Sequence, residues 1–172
     1  MSSRRKFIQT SAIALSASSL LPFSGAANTI QHKSMLKKEF LQTGMAGYSF
    51  VNYNIDQTIA IMNRTGINNL SVKDFHLPLN SSQQTIDEVL GKFKNGGIQV
   101  YTVGVIYMKT EAEVDRAFDY AKRVGVNLII GVPGYDLLTY TEKKVKEYNI
   151  RIAIHNHGPE DKLYPGPKDV YD

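Results

Sequence analysis

Cysteine and tryptophan are absent from the 172 residues. The missing cysteines exclude a disulfide-stapled module, a Cys-ligated zinc or iron–sulfur centre and a thiol nucleophile. No run of G-x-G-x-x-G occurs, which removes the usual phosphate turn of a dinucleotide-binding sheet. Long apolar runs are missing too. A spanning helix needs roughly 20 apolar residues, and the best stretch, residues 11–23, is shorter and rich in Ser. The sequence therefore predicts no stable membrane span.

Acidic residues are missing from the first 27 positions, which carry Arg4, Arg5 and Lys6. Removing that segment takes the formal net charge from +4 to +1. The basic balance thus belongs to the leader, and the remainder gives no electrostatic case for nucleic acid. Ser3-Arg4-Arg5-Lys6-Phe7-Ile8 is a twin-arginine pattern, followed by a mild apolar stretch and small residues around Ala26 suited to cleavage. Residues 1–27 read as a twin-arginine signal peptide. The expected location is exported and periplasmic, with the twin-arginine export machinery as a transient partner. That route carries folded proteins, which suits a chain that takes up a metal or cofactor before export. Residues 28–44 read as a linker.

From residue 45 onward, strand and helix signals alternate. Strands are expected at 46–50, 69–73, 99–105, 127–131 and 151–156, the β-branched third being the clearest. Between them lie helical periodicities such as Ile55, Ile59 and Met62, or Val114, Ala117, Phe118 and Ala121. Asn54, Ser81, Thr110 and Thr139 are the expected starts, and Gly66, Gly96 and Gly125 the stops. Repeated βα units of this period imply a parallel sheet covered by helices. Without a phosphate turn, the expected fold is an α/β (β/α)8 TIM barrel truncated to about five βα units, spanning residues 45–172. A whole barrel takes roughly 250 residues. Pro167 followed by Asp169 reads as the first turn of a further helix.

In parallel βα folds, chemistry sits at the C-terminal strand ends. The first strand end offers Tyr48, the second Lys73 and His76, the third Tyr107, and the fifth His155, His157 and Glu160. Side chains alternate along a strand, so His155 and His157 should face one side. Such an H-x-H pair can bind a divalent metal or position a proton donor. His155, deeper in the strand, is the expected metal ligand, and His157 a substrate contact. Glu160 can add an acid–base carboxylate. Lys73 is a catalytic or substrate-holding candidate, and His76, Tyr48 and Tyr107 are candidate substrate contacts. A pair of hydrogen-bonded histidines capping a strand is the simpler alternative.

Residues 71–78 (S-V-K-D-F-H-L-P), 104–116 (G-V-I-Y-M-K-T-E-A-E-V-D-R) and 151–162 (R-I-A-I-H-N-H-G-P-E-D-K) together resemble the sugar phosphate isomerase/epimerase family with the xylose isomerase-like TIM barrel. They look most like its exported bacterial branch. The resemblance implies a divalent metal (Mn, Zn, Mg or Co) at the barrel mouth and a small-molecule sugar substrate. It also implies isomerisation or epimerisation by proton transfer next to a carbonyl. The family's strand-five ligand position falls on His155. Many relatives carry Glu there, so the acid–base role is not carried over with the position. Ligands from strands six to eight lie outside these residues, and the expectation is a piece inactive alone. A non-catalytic sugar-binding or structural half-barrel protein is the main alternative. An apurinic endonuclease of the same superfamily lacks the basic groove it would need. Metal-dependent amidohydrolases place their H-x-H on the first strand rather than the fifth.

Overall fold

The structure is a computed structural model that describes residues 41–171. The leader and the linker up to residue 40 fall outside the described residues. Five strands form one sheet: β1 (Gly44–Ala46), β2 (Asn69–Val72), β3 (Gln99–Met108), β4 (Leu128–Pro133) and β5 (Arg151–Ile154). Every neighbouring pair is parallel and the spatial order is the chain order. A doubly wound sheet would place its first strand between later ones. The sequential order is instead that of consecutive βα units of a barrel.

The helices are α1 (Ile55–Thr65), α2 (Gln83–Asn95), α3 (Glu111–Val124), α4 (Leu138–Tyr148) and the short α5 (Pro167–Tyr171). Local chemistry sets their ends. The Asn54 side chain accepts from Gln57 N–H while the Gln57 side chain accepts from Asn54 N–H, closing a capping box. Gly66 and Gly125 end α1 and α3 in the left-handed conformation. On α3, Val114, Ala117, Phe118, Ala121 and Val124 form the buried stripe. Full burial of a side chain such as Phe118 contributes roughly 1.5–3 kcal/mol. Facing it are the outward residues of the sheet, among them Val103 and Ile129, both fully buried.

Several expectations shift in detail, among them β4, which runs on to Pro133, and β5, which ends at Ile154 just short of His155. The first strand is Gly44–Ala46, beginning inside the expected linker and sharing only Ala46 with the expected 46–50, because Gly47 begins a 3₁₀ turn over Gly47–Phe50 that runs against β2. A Cβ on Gly47 would lie 2.5 Å from the Ser71 carbonyl oxygen. The third strand runs three residues further, to Met108. Ser82 rather than Ser81 caps α2, accepting from Thr85 N–H at 3.1 Å. Thr139 caps nothing, since a 3₁₀ turn at Tyr135–Leu137 leads directly into α4. No described helix is long and apolar enough to cross a membrane.

Candidate functional site

β3 shapes the site. Its register against β2 slips by one residue at Tyr101, and against β4 by one residue at Val105. Each slip is a bulge that leaves one residue of β3 over and reverses the alternation. Two reversals restore it. Tyr101 and Tyr107 therefore both line the concave side of the sheet, while Val103 between them is fully buried against the helices. Gly104 sits at the second bulge with φ +133°.

The concave side encloses a cavity of about 700 Å³. Tyr48, Lys73, Tyr101, Tyr107, His155 and His157 contribute to its wall. Tyr48 stands on the rim, 69% exposed, on the turn that Gly47 starts. Lys73 follows the end of β2. Its ammonium is 3.0 Å from Asp74 Oδ1 and donates to the Val105 carbonyl oxygen at 2.9 Å. The bulge thus supplies the acceptor that fixes the lysine's direction.

His155 continues the β5 ladder through its backbone N–H, which donates to the Gly131 carbonyl at 3.0 Å. Burial, then the neighbouring His157, hold its imidazole pKa below the ordinary value. Its ring has no hydrogen-bond partner among the described residues. The His157 ring lies 4.5 Å from it, edge to face. His157 is tied on both nitrogens: Nδ1 is 2.5 Å from Asp161 Oδ2 and Nε2 is 3.2 Å from the Tyr107 hydroxyl. The Leu163 N–H donated to Asp161 Oδ1, and next the His157 side chain, hold the Asp161 carboxyl below its ordinary pKa. Tyr164, buried, donates its hydroxyl to the Pro133 carbonyl at 2.8 Å and pins this loop to the end of β4.

Two expected residues lie elsewhere. His76 is buried behind β2, because the chain folds back after Lys73, whose carbonyl accepts from both His76 N–H and Leu77 N–H. Its Nε2 donates to the Tyr53 carbonyl at 2.7 Å. In this position it braces a loop and is not part of the cavity wall. Glu160 is exposed on a turn closed by Asp161 N–H donating to the Gly158 carbonyl. Glu160 is not part of the cavity wall, and the carboxylate that reaches His157 is that of Asp161. Asp161 and Tyr101 are the side chains that sequence reasoning missed. The i, i+4 spacing of His157 and Asp161 across Gly158-Pro159 was the available signal.

His155 fits one ligand position of a divalent cation: a neutral imidazole with unengaged nitrogens on a cavity wall. Among the described residues no three His, Asp or Glu side chains converge as a complete metal shell.

Comparison with known proteins bears on the fold. No family profile and no curated protein matches the chain. Solved structures do. An uncharacterised protein of Parabacteroides distasonis matches at 25% identity with a TM-score of 0.61, over 66% of this chain and 52% of that one. A xylose isomerase domain protein of Alicyclobacillus acidocaldarius matches at 12% identity and TM-score 0.54, over 76% and 57%. A protein of Sinorhizobium meliloti matches at 12% and 0.50, over 69% and 52%. The chain shares the fold of these structures, the xylose isomerase domain protein among them. The chain spans about half the length of these structures, and its described residues form five strands of a fold that closes with eight.

Proposed function

We propose that the cavity is part of the substrate site of a metal-dependent isomerase or epimerase acting on a sugar or sugar phosphate. The observation that carries this reading is convergence. Lys73, Tyr107, His155 and His157 come from three strand ends to one cavity at the C-terminal side of a parallel sheet. A divalent cation, with His155 among its holders, would supply Lewis-acid polarisation of the substrate carbonyl. The groups on the cavity wall hold the substrate. Lys73, restrained by Asp74 and the Val105 carbonyl, presents a cation to a substrate oxygen at little further entropic cost. The tyrosine faces on the wall exclude water from one side of the sugar ring.

One observation favours the second reading, a sugar-binding protein without catalysis: the acid–base carboxylate expected at Glu160 is outside the cavity. Deuterium wash-in separates the two. In D₂O with Mn²⁺ and D-fructose, a protein carrying these five units and the remaining three should exchange the C–H next to the carbonyl. Binding without exchange would favour the second reading.

Export is proposed on the leader alone. Replacing Arg4 and Arg5 together by Lys is expected to leave the precursor in the cytoplasm, read by fractionation. Normal export of that variant would sink the twin-arginine reading.

A further inference from the structure

Two smaller hollows, of about 440 and 210 Å³, lie beside the cavity, between the loop that joins β2 to α2 and the first turns of α3. They share Asp74, Leu79 and Arg116 with each other, and the inner one shares Val105 and Tyr107 with the cavity. Together they make one groove that continues the cavity outward. The Lys73–Asp74 ion pair stands at the junction, Lys73 lining the cavity and Asp74 the groove.

The groove is shaped in advance. Tyr120 donates its hydroxyl to the Leu77 carbonyl, and Arg123 donates to the Leu79 and Ser81 carbonyls. Helix α3 thus holds the opposite loop by its backbone, which lowers the ordering cost of binding. Glu113 is fixed as well, because its Oε2 accepts the Lys109 N–H at 2.6 Å. Phe75 is exposed in the outer hollow and stands edge to face against Tyr48 on the cavity rim, with 6.5 Å between ring centroids.

What the groove can hold follows from what its side chains leave unused. Arg116 approaches Glu113 only to 4.0 Å, beyond hydrogen-bond length, and donates to nothing else among the described residues. The amide of Asn80, in the outer hollow, has no partner among the described residues either. Asp74 and Glu113 each keep one carboxylate oxygen uncommitted to a hydrogen bond. An anion here would meet two carboxylates against one guanidinium and could donate to neither carboxylate. A cation would meet Arg116. A neutral ring bearing hydroxyls can donate to the carboxylates, accept from Arg116 and Asn80, and lay its C–H face on Phe75.

We infer that this groove is an outer subsite for a second sugar ring, which makes the substrate a reducing disaccharide or longer glycan whose carbonyl-bearing unit lies in the central cavity. The assignment rests on the saccharide reading of that cavity. Maltose and cellobiose have the required form, one ring with a free anomeric carbon and one held by a glycosidic bond.

Calorimetric titration of the 172-residue chain with D-glucose, maltose and cellobiose tests this. At least one disaccharide should bind about tenfold more tightly than D-glucose, because the second ring adds hydrogen bonds to charged groups. Arg116→Ala, at an exposed position, should weaken that disaccharide about tenfold and leave D-glucose unchanged. Asn80→Ala, also exposed, should weaken it about threefold with D-glucose again unchanged, and decides the matter if the Arg116 variant does not fold. Disaccharides that bind no more tightly than D-glucose overturn the subsite. So does an Arg116→Ala protein that keeps its disaccharide affinity or loses affinity for both kinds of sugar alike. If wild type binds none of the three sugars, the saccharide reading itself fails and the subsite falls with it.

Discussion

Gly104→Ala is expected to lower the unfolding free energy by about 3 kcal/mol or more, read as a reduced urea midpoint at unchanged slope. Two causes add. The residue sits at φ +133°, where an L side chain is strained. A Cβ there would also lie 2.1 Å from the Ile130 carbonyl oxygen. That oxygen belongs to the backbone of β4 in the interior of the sheet, so no flexible side chain can yield. Gly125 offers the contrast: it has φ +78° but open space around its Cα. Gly125→Ala should cost only the conformational part, about 1 kcal/mol. A folded Gly104→Ala protein would have to loosen the β3–β4 pairing, and with it the bulge that offers the Val105 carbonyl to Lys73.

His155→Ala is expected to weaken divalent-cation binding by ~10-fold or more, the sensitivity usual for a disturbed metal shell. Its burial and the nearby His157 favour the neutral imidazole, which is the form that ligates. The substitution removes no side-chain hydrogen bond among the described residues. The ladder bond from residue 155 to Gly131 is a backbone bond and survives. Lost affinity would thus report a lost ligand rather than lost folding. His76→Ala should do the reverse, loosening the Tyr53 loop while leaving affinity unchanged, because His76 is buried away from the cavity.

The alternation of strands and helices was legible because its signals are local. Asn54 and Gly66 bracket one amphipathic stretch, and Thr110 and Gly125 another. Parallel order followed from the spacing. The extent of β3 did not, because its two bulges depend on pairing with β2 and β4, and a glycine inside a β-branched run looks like an end. The cavity wall was legible where a side chain lies at or just past the end of a strand, as with Lys73, Tyr107 and His155. It was not where the chain turns. His76 is carried behind the sheet by bonds to the Lys73 carbonyl, and beyond the Gly158–Asp161 turn it is Asp161, not Glu160, that bonds to His157. A single residue of turn geometry, invisible to strand parity, separates an exposed carboxylate from one bonded to a histidine.

The most direct measurement is a calorimetric titration of Mn²⁺ into the wild-type chain and into His155→Ala, side by side at neutral pH. A cation site on the cavity wall predicts saturable wild-type binding, weak for a partial shell, and at least ~10-fold weaker binding by the variant. Equal stoichiometry and affinity in the two proteins would contradict it and make His155 a structural histidine at the end of a strand.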